Sequence, residues 1–256
     1  MRMTETMRKM MIKVPAVTAF FWIIKVLATT VGETFSDFIN ETLGFGLFKT
    51  TIVMSIVLVV ILAIQMSLKR YVPAIYWLAI VQVSITGTLI TDNLTDGLGF
   101  PLLYSTLIFG GTLLLVFAAW WYQERTLSIK SIDTTKREAW YWLAILVTFA
   151  MGTAFGDYLG DALGLGFLTS AFIFAGAIAL IGLGWTFKFV NEVLAFWLIY
   201  ILTRPLGASI GDFLAQTPDD GGIGLGTTIT SIIFLVAILA SVSYLAISRR
   251  DDFNKK

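Results

Sequence analysis

Four times along the chain a tryptophan is followed, fifteen residues later, by an aspartate: Trp22 and Asp37, Trp77 and Asp92, Trp142 and Asp157, Trp197 and Asp212. The surroundings repeat as well. An aromatic precedes each tryptophan (Phe21, Tyr76, Tyr141, Phe196), and a glycine stands five residues before each aspartate (Gly32, Gly87, Gly152, Gly207). Four residues after the aspartates come Glu41, Asp96, Asp161 and Gln216, followed by a turn reading LGFG, LGFP, LGLG or IGLG. The next segment opens with hydroxyls: Thr50 and Thr51, Ser105 and Thr106, Ser170, Thr230 and Ser231. Agreement at fixed offsets means one structural unit used four times, which restricts the fold more than any local propensity does. The aspartates are spaced 55, 65 and 55 residues apart, so the chain also reads as two halves offset by 120. The fourth copy departs from the pattern, with Gln216 in place of the second carboxylate and TPDDGG inserted before its turn.

Each unit is too apolar for a water-soluble fold. Hydrophobic residues make up 57% of the 256, the charged ones 14%, and the mean hydropathy is +0.83. A membrane-crossing helix needs about 20 apolar residues, and such runs recur at 17–43, 47–68, 73–97, 101–122, 139–163, 167–187, 189–214 and 223–247. The expected fold class is all-α integral membrane: eight transmembrane helices arranged as four two-helix repeats. The polar residues inside some runs leave seven or nine spans open. Two spans return a chain to its starting side, so the four repeats are expected to be parallel, related by an axis near the membrane normal. The corresponding division is a cytoplasmic N-terminal segment 1–16, a first half 17–123, a linker 124–138, a second half 139–247 and a tail 248–256. The basic N-terminus precedes an apolar run that lacks a small-residue cleavage site, so it reads as retained.

Charge sets the orientation. Fifteen of the 18 Lys and Arg fall in the termini and in the loops between repeats: Arg2, Arg8, Lys9, Lys13, Lys69, Arg70, Arg125, Lys130, Lys136, Arg137, Lys188, Arg249, Arg250, Lys255 and Lys256. The side carrying the glycine turns has Lys49. Positive residues stay inside, so a bacterial inner-membrane protein with both termini cytoplasmic is expected, with the tryptophans as an aromatic belt at the cytoplasmic interface. Fifteen helical residues rise roughly 22 Å, which puts the aspartates within the outer half of a hydrocarbon layer about 30 Å thick.

Carboxylates at that depth are costly, turn inward and are functional by default. Residues four apart on a helix share a face. Four such faces around one axis predict an outward-facing acidic vestibule, with Asp37, Asp92, Asp157 and Asp212 as primary ligands and Glu41, Asp96 and Asp161 as the next ring. Glu33, one turn deeper than Asp37, has Thr88, Thr153 and Ala208 as counterparts. Clustered carboxylates need protons or a cation to neutralise them. With no cysteine and no histidine in the chain, thiolate and imidazole metal sites are excluded, and oxygen ligands suit hard cations such as Mg²⁺, Ca²⁺, Mn²⁺, Na⁺ or H⁺. The hydroxyls opening each second helix and the turn carbonyls are candidates to complete the oxygen shell.

A packing role competes with this reading. Gly152, Gly156, Gly160 and Gly164 follow the small-xxx-small spacing of close helix contacts, and an aspartate near a helix end can simply bond to a neighbouring backbone. Two cations also fall within spans. Lys25 and Arg204 either pair with an acid of a neighbouring helix or act as built-in cations that compete with a transported one. Pro205 is expected to break the seventh span. Lys188 and Glu192 read as interfacial, snorkelling or paired, and segment 124–138 as a plain polar linker. No nucleotide-binding or hydrolase motif occurs, so the chain reads as a non-enzyme.

The G-x(4)-D pattern with its LGxG turns resembles a family of bacterial uncharacterised membrane-anchored proteins, over essentially the whole chain. That resemblance implies the fold and no activity. A looser similarity joins GETFSD (32–37) and GTAFGD (152–157) to small cation exporters with two E-x-G-D repeats, although here one copy in four carries the glutamate and the spacing differs. It implies repeated membrane carboxylates handling cations. The expected function is transport of a hard cation, with a divalent metal such as Mn²⁺ exchanged for protons as the favoured case. A proton or monovalent-cation pathway is one alternative. A non-transporting membrane scaffold or cation sensor is another, because the inner halves of the spans offer few polar residues beyond Lys25, Gln82 and Arg204. The expected partners are the lipid bilayer and an inorganic cation, with no nucleic acid and no cofactor beyond that cation; a homo-oligomer is compatible with the sequence.

Overall fold

The computed structural model describes residues 12–251, the side chain of Glu41 excepted. Glu41 as a ligand, and Arg2, Arg8, Lys9, Lys255 and Lys256 as orienting charges, therefore lie outside the described residues. Eight long helices follow one another: α1 Ala19–Asp37, α2 Leu47–Ser67, α3 Pro73–Asp92, α4 Leu102–Glu124, α5 Thr135–Asp157, α6 Phe167–Thr186, α7 Glu192–Ala215 and α8 Gly226–Ser248. All eight are long and apolar enough to cross a membrane.

Local chemistry starts and stops them. Thr18, Thr134 and Asn191 cap α1, α5 and α7 by accepting the backbone N–H three residues on, which satisfies donors a helix start leaves open. In the first three copies the inner helix ends in a π-helical turn, at Phe38–Thr42, Asn93–Gly97 and Tyr158–Ala162. The chain then reverses at Gly44, Gly99, Gly164 and Gly224, with φ of +66°, +68°, +66° and +79°. In that left-handed region a Cβ costs roughly 1–2 kcal/mol, which explains the invariant first glycine of the four turns.

The odd helices form a closed ring: α1 packs on α3, α3 on α5, α5 on α7, and α7 back on α1. The even helices lie outside. Each packs on the first helix of the next copy, α2 on α3, α4 on α5, α6 on α7, and α8 closes onto α1. The glycines that precede the aspartates make the ring tight. A Cβ added at Gly32 would meet Ser84, one at Gly87 would meet Phe149, one at Gly152 would meet Arg204, and one at Gly207 would meet Thr29. These four neighbours occupy one repeat position, eight residues before each aspartate. The same interlock therefore runs copy to copy around the whole ring. The outer helices present large apolar side chains such as Val59, Leu114, Leu180 and Ile247 on the perimeter, as a lipid-facing surface requires.

The two ends of the bundle differ. Both described termini meet the 68–72 loop and the 125–134 segment at one end. There Ala16 N–H donates to the Asp251 carbonyl (2.8 Å) and Lys13 N–H to that of Ile132 (3.1 Å). Lys13 Nζ pairs with Glu138 at 2.7 Å, and Gln65 Nε2 donates to Glu138 at 3.0 Å. All three side chains are buried. Tyr71 donates to Asp251; burial, and then that carboxylate, push its hydroxyl well above the usual tyrosine range. The linker is thus a packed element rather than a plain polar one: Ile129, Ser131 and Ile132 are buried, and Arg137 ties Glu124 to Asp133. The tryptophans also correct the expectation. Trp77, Trp142 and Trp197 are buried within the bundle, where they stack with Phe21, Tyr76, Tyr141, Phe196 and Tyr200. Filling the centre of a four-helix ring needs bulk, and these rings supply it. Trp121, Tyr122, Trp185, Phe187 and Phe189 are among the exposed aromatics near this end.

Candidate functional site

The end of the bundle with the glycine turns gathers the repeated acids. Asp37, Asp92, Asp157 and Asp212 close the α-helical part of the inner helices, or lie one turn before its end in α7, and all are half-buried. Glu33 is buried one turn deeper. Glu33, Asp37 and Asp212 each bring a carboxylate oxygen within 4.8 Å of the others. Asp92 lies in the field of Glu33, Asp37 and Asp157, and Asp212 in the field of the same three. Asp157 faces Glu33, Asp161 and Asp96, with Arg204 as the opposing charge. Of the four aspartates, Asp37 and Asp212 are thus brought together on Glu33, while Asp92 and Asp157 act on the group through their charges. Asp96 and Asp161 are exposed and sit in the π-helical turns. Gln216 is half-buried at the end of α7, where its N–H donates to the Asp212 carbonyl (2.8 Å).

Most hydroxyls opening the second helices are bonded elsewhere, whereas Ser170 Oγ is buried with no hydrogen-bond partner among the described residues. Thr50, Thr51 and Thr230 each donate to a carbonyl one turn back in their own helix at 2.8 Å, and Ser105 does so at 3.4 Å. In an apolar helix that carbonyl is the nearest strong acceptor, so it wins. Ser231 Oγ donates to Thr34 Oγ1 at 2.8 Å.

Beneath the aspartates the ring is filled by Arg204. Its Nη2 donates to Glu33 at 2.6 Å, to Thr153 Oγ1 at 2.7 Å and to Thr88, and its Nη1 to the Thr29 carbonyl at 3.3 Å. It is wholly buried. Arg204 is therefore paired across helices, with Glu33 of α1 at 2.6 Å. Lys25 behaves differently. It is wholly buried, and Nζ lies 3.9 Å from the Phe149 ring centroid and 4.1 Å from that of Tyr200. Among the described residues Nζ has no hydrogen-bond partner, so Lys25 is boxed by rings rather than paired with an acid. The expected break at Pro205 is absent. α7 runs through it, with the proline ring packed against Gly152 and Gly156 of α5, which leave room for it. The glycine series of α5 is divided by role: Gly152 and Gly156 abut α7, Gly160 faces Phe167 and Ser170, and Gly164 makes the turn.

Sequence reasoning identified Glu33 and Arg204 separately but not as partners. The signal was present, since each is a charge that occurs at its repeat position once in four copies. A cavity of about 720 Å³ lies at the other end of the bundle, between Trp22, Ile129, Trp185 and Phe196, with the paired Lys130 and Glu192 at its edge. It is apolar and remote from the acids.

Comparison with curated proteins and with solved structures finds no match. The profile of a Repeat of Unknown Function (DUF347) matches four stretches, 20–71, 75–126, 140–188 and 195–251. These fall on the four copies described above and cover most of the chain. The protein is thus an all-helical, multi-pass membrane protein with internal repeats, and it belongs to the family of the Repeat of Unknown Function (DUF347).

Proposed function

We propose that this protein binds and transports a hard cation through carboxylates that face the outside of a bacterial inner membrane. In this reading the four repeats stand parallel around an axis near the membrane normal, and both termini are cytoplasmic. The ring of equivalent glycine contacts and the gathering of both termini at one end support the arrangement. The basic loops at that end support the orientation. One observation carries the function: oxygens of Glu33, Asp37 and Asp212 within 4.8 Å of one another, with Asp92 and Asp157 in the same field. All-oxygen ligands favour a divalent metal such as Mn²⁺ or Mg²⁺ over softer ions. Exchange for protons would discharge the cluster when the metal leaves.

A second reading has its own support. Below the acids the ring is filled by Arg204, then Lys25, then the aromatic layer, and the buried stretch Ile12–Ala16 lies under these. That filling fits a membrane scaffold or sensor that reads external cations without passing them.

The test is melting of the purified protein against Mn²⁺, Mg²⁺, Ca²⁺, Zn²⁺ and Na⁺, with Asp212→Asn beside the unmodified chain. A ligand at 100 times its Kd stabilises by about 2.7 kcal/mol. A selective rise in melting temperature, lost in Asp212→Asn, is the expected result; no shift with any ion would remove the cation site. Flux of the stabilising ion into proteoliposomes then separates transporter from sensor.

A further inference from the structure

Glu33 is shared between two sets of partners. Its carboxylate belongs to the cluster with Asp37 and Asp212, and its Oε2 accepts from Arg204 Nη2 at 2.6 Å. The same Nη2 reaches Thr88 and Thr153. Glu33, Thr88 and Thr153 hold one repeat position, four residues before the aspartate, on α1, α3 and α5. Nη2 therefore meets one oxygen from each of the other three copies. Three oxygens converging from three copies is the arrangement that would receive a cation. Here the cation is covalently tied to the fourth copy. Packing alone does not explain an arginine, because the repeat fills the same position elsewhere with Thr29, Ser84 and Phe149.

We propose that Arg204 is a tethered competitor for the cation site described above, on whose existence this inference rests. With the site free, Arg204 neutralises Glu33. A metal ion entering among Glu33, Asp37 and Asp212 draws on the same carboxylate, and two cations sharing one carboxylate at low dielectric repel strongly. The guanidinium must yield Glu33 for the metal to bind. Thr153 sets how firmly it is held, since its hydroxyl stabilises the docked arginine and bonds to no carboxylate of the cluster, whereas Thr88 also donates to Glu33 Oε2 at 3.5 Å.

The experiment is a titration of purified protein with Mn²⁺ and Mg²⁺, read by calorimetry, for the unmodified chain, Arg204→Gln, Thr153→Val and Glu33→Gln. Coupling between two sites typically changes affinity by 5–150-fold. Arg204→Gln is expected to bind about tenfold more tightly, Thr153→Val more tightly by a smaller factor, and Glu33→Gln more weakly. Thr153→Val keeps every charge, so it carries the test even where Arg204→Gln does not fold. Binding to the unmodified chain that is unchanged or weakened in both Arg204→Gln and Thr153→Val would overturn the competitor and leave the cation site standing. No binding in any of the four proteins would overturn the site and the competitor together.

Discussion

Arg204 and Lys25 are both buried cations of the inner ring, yet they are held in different ways. Arg204 has a carboxylate, two hydroxyls and a carbonyl around its fork, whereas Lys25 rests between two aromatic faces. A desolvated cation–π contact is worth about 2 kcal/mol or more; Arg204 adds an ion pair through its Nη2, although its buried Nε has no partner among the described residues. Removing one partner of a buried pair costs about 3–5 kcal/mol, because the other charge is left uncompensated, while removing both is often neutral. Arg204→Met alone is therefore expected to destabilise by that amount. The double change Arg204→Met with Glu33→Leu should recover most of it, measured by denaturant unfolding in detergent. A double variant no better than the single would mean that Arg204 acts through its hydroxyl and carbonyl partners instead. The pairing was only half legible in the sequence. The two charges stand out as breaks in a fourfold pattern, but 171 residues separate them and no local rule joins them.

At the level of elements, the glycines five residues before each aspartate decide how closely the inner helices approach. A Cβ on Gly152 would lie 2.6 Å from Arg204 Cγ and 3.1 Å from Pro205 Cδ. Gly110, on the outer helix α4, has nothing within 4 Å of its added Cβ. Overpacking costs about 1–3 kcal/mol, whereas Gly→Ala on an open helix face gains roughly 1 kcal/mol. Gly152→Ala should thus lower the melting temperature and Gly110→Ala should leave it unchanged or raise it. Equal effects of the two would mean that the inner helices are not in such close contact. The periodic glycines were readable as packing residues. Their division between a helix contact, a proline berth and a turn was not, because each use depends on what stands opposite.

The whole molecule is a ring that closes on itself, since α8 packs on α1 as α2, α4 and α6 pack on their own next neighbours. Its two ends are chemically unlike: acids at the turns, and cations, termini and loops at the other. The chain has no cysteine, so single cysteines can report the side each end faces. Lys49 and Lys69 are exposed at opposite ends. In intact cells an impermeant maleimide is expected to label Lys49→Cys and to spare Lys69→Cys until the membrane is opened. The reverse pattern would invert the proposed orientation, and labelling of both in intact cells would argue against a membrane between the two ends.

By itself the sequence determined the repeat, the eight apolar helices, the glycine turns and the level at which the four aspartates lie. These follow from spacing along the chain, and helical rise converts spacing into height without knowledge of any neighbour. The tertiary structure alone decided which helix lies next to which. Each outer helix joins the following copy, Trp77, Trp142 and Trp197 fill the interior rather than forming a belt, the linker and residues 12–16 pack into the terminal end, and Arg204 lies beneath the acids. The physical reason is that height is a property of one helix, while burial, pairing and void filling are properties of the faces that meet. Four near-identical inner helices present near-identical patterns, so only their arrangement in the ring determines which residues meet.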